Sequence, residues 1–217
     1  MRFRDRRHAG ALLVEALKPL GLERPVVLGI PRGGVVVADE VAKGLGGELD
    51  VVLVRKVGAP GNPEFALGAV GEKGGMVLKP YALQYADQSY LEREAARQKD
   101  VIRKRAERYR KVRPKVPLAG RDVVLVDDGI ATGSTMVAAV RSVRRRGAAR
   151  VVVAVPVAPP EAVRRLRAEG CEVLCVREEP LFVAVGQFYE DFTQVSDEEV
   201  QALLQEFWQK KEAGGGP

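Results

Sequence analysis

Short Val-rich runs alternate along most of this chain with segments of helical periodicity, and this alternation limits the possible folds more than any other feature. The clearest predicted strands are residues 26–30, 50–55, 122–126, 151–155 and 172–176. Helices are predicted at about 11–18, 35–45, 134–146 and 160–169, each ended or followed by glycine. Strands that are apolar on both faces and separated by helices are typical of a parallel sheet covered on both sides. We therefore predict an α/β fold with a doubly wound, mostly parallel sheet flanked by helices.

Two segments interrupt the alternation. Residues 56–78 are rich in glycine and proline, which predicts a hairpin with long mobile loops. Residues 88–113 read as one long helix, because apolar side chains recur at a spacing of three and four positions. That stripe consists of Leu91, Ala95, Ile102, Ala106 and Tyr109. Arginine and lysine crowd the other face, which is typical of a solvated charged helix and leaves a nucleic-acid-binding surface as the alternative.

Composition narrows the function classes. The net charge of +6 suits a phosphate-rich partner without choosing among nucleotides, sugar phosphates and nucleic acids. Because no apolar run approaches the roughly 20 residues of a membrane span, we expect a cytoplasmic protein with no membrane partner. His8 is the single histidine, so histidine acid–base chemistry is not expected. Cys171 and Cys175 lie about 13 Å apart along a predicted strand, too far for a disulfide, and are predicted to be core residues.

The chemistry concentrates after the strand at 122–126. Asp127 and Asp128 follow it directly, then a loop from Gly129 to Thr135 opens a helix. Ligands of open parallel sheets bind beyond the carboxyl ends of the strands, where backbone N–H groups and a helix N-terminus attract an anion. The loop hydroxyls can donate to a phosphate, and glycine lets the backbone approach it.

The acid pair must be explained together with that phosphate, because carboxylates beside a phosphate repel it. A ribose removes the conflict, since its hydroxyls can donate to Asp127 and Asp128 while its 5′-phosphate reaches the loop. An acidic turn before an ordinary helix start is the structural alternative. The P-loop pattern G-x-x-x-x-G-K-[ST] is absent, which argues against a nucleoside triphosphatase.

The segment VVLVDDGIATGST, residues 123–135, resembles the signature of the type I phosphoribosyltransferases. The resemblance implies that Asp127 and Asp128 hold the ribose hydroxyls of phosphoribosyl pyrophosphate. It also assigns the 5′-phosphate loop to Ala131, Thr132, Gly133, Ser134 and Thr135.

Other loops have counterparts in the same family. Arg32, Gly33 and Gly34 resemble the loop that binds pyrophosphate, although a tight turn would use the same glycines. Arg55 and Lys56 stand where the family commonly places a basic residue against pyrophosphate, and solvated cations are the alternative. The resemblance thus implies Asp127, Asp128, Arg32 and Lys56 as the catalytic set.

The aromatic segment 180–192 is similar to the hood of the purine-salvage members. There Phe182 would stack on a base and Val183 would offer backbone hydrogen bonds, while Tyr189 and Asp191 lie close enough in the sequence to take part in the same site. A packed aromatic loop explains the segment equally well. Ala131 stands where the 6-oxopurine enzymes carry an aspartate. Adenine, a pyrimidine or an unusual acceptor therefore all remain open.

The family layout implies one domain over residues 1–212. Its core would cover about 20–176, a flap and inserted helix about 56–119, a hood about 178–195 and a C-terminal helix about 196–212, with residues 213–217 as a disordered tail.

The implied reaction transfers phosphoribosyl from phosphoribosyl pyrophosphate to a base. Mg²⁺ would be held mainly by the substrate, without a metal site built by the protein alone. Two other classes stay open: a regulator that senses phosphoribosyl pyrophosphate or nucleotide and binds nucleic acid, and a pyrophosphokinase-like enzyme, for which no ATP site is obvious. Nucleic acid is not the expected partner of the enzyme, and family members usually form homo-oligomers.

Overall fold

The computed structural model describes residues 1–214 and is built around a five-stranded parallel sheet with strand order β2-β1-β6-β7-β8. The strands are β1 (Val26–Gly29), β2 (Glu48–Val51), β3 (Val54–Ala59), β4 (Asn62–Gly71), β5 (Val77–Leu78), β6 (Asp122–Val126), β7 (Arg150–Ala158) and β8 (Glu172–Glu178). The predicted parallel α/β fold is confirmed. All of β1, and all but the first residue of β6 and of β7, are buried, which is why these strands are apolar on both faces.

Seven α-helices surround the sheet in the described part of the chain. They are α1 (Arg6–Leu17), α2 (Gly33–Leu45), α3 (Ala82–Tyr85), α4 (Gln88–Val112), α5 (Ser134–Arg145), α6 (Pro160–Ala168) and α7 (Asp197–Gly214). From β1 the chain runs through α2 to β2 on one side, and from β6 it runs through α5 to β7 on the other. Because such crossovers are right-handed, α2 and α5 cover opposite faces, and the strand order reverses between β1 and β6.

The predicted single strand over 50–55 is wrong. The chain leaves the parallel sheet after β2, and Val54 begins a second, antiparallel sheet by pairing with Gly71. A continuous apolar run cannot show this break, since both halves of it are buried, one in each sheet. Consequently Arg55 and Lys56 do not follow the second strand but lie within β3.

The predicted hairpin is present, but without long loops. Strands β3, β4 and β5 form a three-stranded sheet, and β3 and β4 are joined by Pro60 and Gly61 alone. Gly61 has φ of 72°, the left-handed conformation that glycine adopts freely. The glycines and prolines of this segment therefore shape strands and a tight turn.

Helix α4 confirms the predicted long helix and lies against this second sheet. The Tyr90 hydroxyl donates to the Gly58 carbonyl at 2.7 Å. Near the other end, Arg110 contacts the carboxylate of Asp50 in β2 at 2.6 Å and that of Glu72, directly after β4, at 2.6 Å. Because one guanidinium joins β2, the end of β4 and the helix, α4 is fixed beside the carboxyl edge of the parallel sheet.

Several boundaries and burial predictions need correction. Helix α1 begins at Arg6 rather than near residue 11, because Asp5 caps it by accepting the His8 N–H at 2.8 Å. Cys171 and Cys175 are free thiols that are only half-buried, since β8 is an edge strand. The predicted disordered tail at 213–217 is wrong for its first two residues, which belong to α7, and its remainder lies outside the described residues. None of the helices in residues 1–214 is long and apolar enough to cross a membrane.

Candidate active site

Three loops meet beyond the carboxyl ends of β1 and β6, where the strand order reverses. The loop after β1 enters α2 at Gly33, and its Pro31–Arg32 peptide bond is cis. The loop after β6 carries the acid pair and enters α5 at Ser134. The third is the hood loop, whose Tyr189 hydroxyl donates to the Asp128 carbonyl at 2.6 Å. This is the position at which doubly wound sheets bind their ligands.

The glycine loop packs directly against the acid pair. A Cβ atom built on Gly33 would lie 2.3 Å from Asp128 Oδ2, and one built on Gly34 would lie 2.9 Å from Asp127 Oδ1. Neither distance leaves room for a side chain. A Cβ at either position would therefore displace a carboxylate of the acid pair, so these glycines allow the two loops to pack closely, and a tight turn alone does not explain both positions.

The environment of Asp127 disfavours its ionised form. Burial raises its pKa well above the usual value, the neighbouring Asp128 carboxylate raises it further, and the positive charge of Arg6 opposes both effects. Its Oδ1 accepts the backbone N–H of Asp128 at 2.8 Å. Two adjacent carboxylates are thus held together, which disfavours their simultaneous ionisation unless a cation or a set of donors lies nearby.

That cation comes from the N-terminal helix. Arg6 Nε lies 3.0 Å from Asp128 Oδ2, and the two side chains are only 11% and 14% exposed. Sequence reasoning missed Arg6, which lies 122 positions from its partner in a basic segment that gave no local signal. The site therefore includes a residue from the first turn of the first helix.

The loop before α5 has the features expected of an anion site. Gly133 adopts φ of 84° at the helix N-cap and supplies no side-chain cap. The Ser134 N–H in the first turn donates to Thr132 Oγ1 at 3.3 Å, a long contact that an anion can replace. Ser134 and Thr135 are half-buried, whereas Ala131 and Thr132 are exposed at the loop tip. Arg165 of α6, also missed from the sequence, donates to the Thr132 carbonyl at 3.1 Å and to Ser134 Oγ at 3.2 Å. A phosphate bound here would meet a nearby positive charge as well as the loop.

A cleft of about 490 Å³ extends from the acid pair to α4. Its lining comes from the loops after β1 and β6, from the first turn of α5, from the segment that follows β2, from β3 and β4, and from α4: Ile30, Pro31, Val52, Leu53, Val54, Arg55, Lys56, Gly58, Pro63, Glu64, Glu94, Arg97, Gln98, Val101, Ile102, Arg105, Asp127 and Thr135. The predicted cations Arg55 and Lys56 therefore share one cavity with the predicted ribose contact Asp127, although they lie on a different sheet.

Guanidinium groups are concentrated in the part of the cleft that β3 and α4 line. Arg55 donates to Gln98, and burial, followed by the charges of Arg105 and Arg97, lowers its pKa. Lys56 is paired with Glu64 at 2.6 Å. Since Arg55 hydrogen-bonds a neutral amide rather than a carboxylate, its charge is available to an anionic ligand.

Arg32 follows Pro31, which lines the cleft, but its own side chain is not part of that lining. Burial, followed by the hydrogen bond to Asp197, raises the pKa of Tyr109 on α4, and the charges of Arg105 and Arg32 oppose that increase. The cleft therefore brings together the predicted Arg55 and Lys56 of β3 with Arg97 and Arg105 of α4, which were not predicted.

The predicted hood forms a small aromatic unit beside the acid pair. Phe182 packs against Phe188 with ring centroids 5.3 Å apart and is half-buried. Val183 is 87% exposed, and its N–H donates to Gln187 Oε1 at 3.1 Å. Phe182 thus has a protein partner, the Val183 N–H is engaged within the hood, and their contacts with a base stay predictions.

The basic face of α4 is largely neutralised within the protein. Arg103 pairs with Asp100 at 2.7 Å and with Glu107 at 2.9 Å. Arg108 pairs with Glu198 at 3.1 Å. These pairs agree with a solvated charged helix rather than with a surface that attracts nucleic acid.

Within residues 1–214, no group of three or more His, Cys, Asp or Glu side chains could hold a metal ion. The acid pair offers two neighbouring carboxylates, and Mg²⁺ commonly takes one or two carboxylates with its other ligands from substrate and water. The residues present therefore fit a metal that arrives with a phosphorylated substrate.

Comparison with known proteins agrees with this geometry. The phosphoribosyl transferase domain family matches residues 6–193. A Mycobacterium tuberculosis protein, provisionally named a phosphoribosyl transferase, is 48% identical over 204 residues, which cover 93% of this chain and 46% of that relative. The crystal structure of TT1426 from Thermus thermophilus is similar with a TM-score of 0.88 and 73% identity, covering 95% of this chain and 99% of that one. The chain thus spans about half of its curated relative, and it belongs to the phosphoribosyl transferase domain family.

Proposed function

We propose that this protein transfers the 5-phosphoribosyl group from phosphoribosyl pyrophosphate to a nitrogenous base or a related acceptor, releasing pyrophosphate in a Mg²⁺-dependent reaction. One observation carries the proposal. Asp127 and Asp128 begin the loop that opens α5 and pack against the glycine loop that opens α2, with Gly33 and Gly34 beside their carboxylates.

The substrate would lie across this junction. Asp127 and Asp128 accept hydrogen bonds from the ribose hydroxyls, and the loop at 131–135 binds the 5′-phosphate. Pyrophosphate then points into the cleft toward Arg32, Arg55 and Lys56. In this arrangement each anionic group of the substrate meets donors or cations, and the carboxylates accept from the ribose hydroxyls while Arg6 stays paired with Asp128.

The chemistry would be a substitution at C1′. An acceptor nitrogen forms a bond to C1′ while the bond from C1′ to the pyrophosphate oxygen breaks, and the electron pair leaves with pyrophosphate. The guanidinium groups stabilise the negative charge that develops on the leaving group, and the acid pair fixes the ribose for attack. Bound Mg²⁺ would supply further neutralisation of the pyrophosphate charge.

The acceptor site would lie between the acid pair and the hood. The exposed side chains of Leu181 and Val183, with the half-buried Phe182, form an apolar rim there. Ala131 provides no carboxylate for a 6-oxopurine, so the acceptor class stays open among adenine, pyrimidines and other nitrogen nucleophiles. A cytoplasmic location and a homo-oligomeric state remain predictions.

A turnover assay tests the proposal. The protein is incubated with phosphoribosyl pyrophosphate, Mg²⁺ and a panel of purine and pyrimidine bases, and pyrophosphate release is followed by chromatography. We expect release that depends on one acceptor. Tight binding of phosphoribosyl pyrophosphate without turnover on any base would contradict transfer and favour a regulator that uses the sugar phosphate as a signal.

A second experiment tests the ribose contacts. The double variant Asp127→Asn with Asp128→Asn should lose most of its affinity for phosphoribosyl pyrophosphate, measured by calorimetry. Asp122→Asn is the matched control, because Asp122 lies at the opposite end of the same strand. A folded double variant that binds as tightly as the parent would show that the acid pair does not contact the ribose.

A further inference from the structure

The N-terminal segment and the hood form one structural unit. The Phe3 N–H donates to the Phe188 carbonyl at 2.8 Å, and the Glu190 N–H donates back to the Phe3 carbonyl at 2.8 Å. The Asp191 N–H donates to the Arg4 carbonyl at 3.0 Å. Since the side chain of Phe3 is also buried against Tyr189, the first residues of the chain extend the hood as a short strap.

Arg6 stands where this strap enters α1 and contacts three parts of the molecule. Its Nε lies 3.0 Å from Asp128 Oδ2, and its Nη1 donates to the Thr193 carbonyl at 2.6 Å. Its guanidinium carbon lies 4.1 Å from the centre of the Phe192 ring. A single side chain therefore connects the predicted ribose site to the far end of the hood.

Several neighbouring contacts fix the positions of Arg6 and Asp128. The Asp5 cap fixes the start of α1 and hence the direction of Arg6. Tyr189 holds the backbone of Asp128 from the hood side, and Gly33 packs closely against the Asp128 carboxylate from the other. With Oδ2 of Asp128 held by Arg6, its Oδ1 is the oxygen left for a ligand.

We infer that Arg6 is a positioning residue for the ribose, orienting the Asp128 carboxylate and coupling the acceptor hood to the sugar site. The inference rests on the proposed function, because it requires that the acid pair bind ribose. The charged and titratable groups around Asp128 are Asp127 beside it, Arg6 and Asp5 from the N-terminal segment, and Tyr189 from the hood. Arg6 is the cation that opposes the mutual repulsion of the two carboxylates.

The test compares ribose 5-phosphate with inorganic phosphate as calorimetric probes of the full chain. Arg6→Ala should weaken ribose 5-phosphate binding by about tenfold, the effect of losing one interaction in a coupled network. Inorganic phosphate, which needs only the loop before α5, should bind as before. Arg4→Ala is the matched control, since that neighbouring side chain is exposed and only its backbone joins the hood.

The pH dependence separates positioning from a structural role. Arg6 lowers the pKa of Asp127, so without its charge Asp127 ionises at higher pH, and the loss of ribose 5-phosphate binding on acidification should begin at higher pH. Arg6→Lys retains the charge and should restore the parent pH midpoint in part. Arg6→Gln, which keeps most of the packing, replaces Arg6→Ala if thermal melting shows that the alanine variant is unfolded.

Each outcome decides between the two ideas. If Arg6→Ala or Arg6→Gln binds ribose 5-phosphate like the parent, with the same pH midpoint, Arg6 does not position the acid pair. Equal weakening of both probes with an unchanged midpoint would show a structural role and overturn the inference. If the parent itself binds phosphate but not ribose 5-phosphate, the proposed function fails, and the inference fails with it.

Discussion

Gly33→Ala is the sharpest perturbation of the site, because the structure shows what the added methyl group would meet. Its Cβ would lie 2.3 Å from Asp128 Oδ2 and 2.7 Å from Arg6 Nε. Ordinary van der Waals contact begins at 3.4 Å, so the carboxylate must retreat by roughly an ångström. Asp128 cannot keep its contact with Arg6 and its direction toward a ribose after such a shift.

The size of the effect follows from two opposing terms. Alanine is favoured over glycine in a helix by about 0.5–1 kcal/mol. Gly33 begins α2 and does not have a positive φ, so alanine can adopt its backbone conformation. Overpacking costs about 1–3 kcal/mol, so subtracting the alanine preference leaves a net destabilisation of about 0–2.5 kcal/mol. Loss of one charged hydrogen bond to the ribose, about 1.5–3 kcal/mol, would weaken phosphoribosyl pyrophosphate binding by roughly ten- to hundredfold.

Calorimetric titration with phosphoribosyl pyrophosphate and a thermal melt measure the two terms separately. Gly75→Ala is the matched control, because nothing lies within 4 Å of a Cβ at that position and its φ is not in the left-handed region. The control should bind and melt like the parent. If Gly33→Ala also binds phosphoribosyl pyrophosphate with the parent's affinity, the close packing of the glycine loop on Asp128 does not matter for the ligand, and our account of the site is wrong.

Three further predictions concern the groups around the acid pair and the cleft. Arg105→Ala should weaken pyrophosphate binding by about tenfold in calorimetry, whereas Arg103→Ala, on the solvated face of α4, should not. Asp127→Asn should raise the thermal midpoint at neutral pH while abolishing sugar-phosphate binding. Because the pKa of Asp127 is raised in the folded state, its carboxyl group makes folding less favourable as the pH rises from the unfolded-state pKa to the folded-state pKa. An unchanged thermal midpoint in the variant would contradict this effect of Asp127 on stability. Tyr189→Phe, which removes the donor to Asp128, should cost about 1 kcal/mol in denaturant unfolding, and no loss would show that this bond is not stabilising.

Local patterns were sufficient where structure is decided locally. The strands at 26–30 and 122–126 and the helix at 88–113 are apolar or periodic over their whole length, and the structure confirms them within a residue or so. The placement of the glycine loop and the acid pair at one edge also followed, because parallel strands place their carboxyl ends together. Their direct contact at Gly33 and Gly34 was not predicted. The break after β2 did not, since Val52 and Leu53 are as buried as the strands they separate, and nothing in an apolar run marks a change of sheet.

The basic segment at the N-terminus shows why the sequence could not predict the rest of the site. Arg4, Arg6 and Arg7 look alike in the sequence, yet Arg4 is exposed, Arg6 contacts Asp128 and Arg7 contacts the buried Asp39 at 2.5 Å. Successive residues of a helix point about 100° apart, so the start of α1 decides which arginine faces which partner. That start is set by the Asp5 cap. The partners of the two arginines come from the loop after β6 and from α2, whose positions depend on the arrangement of the sheet. A charge cluster therefore acquires its chemistry from the tertiary fold, and a helix boundary misplaced by about five residues is enough to hide a candidate active-site residue.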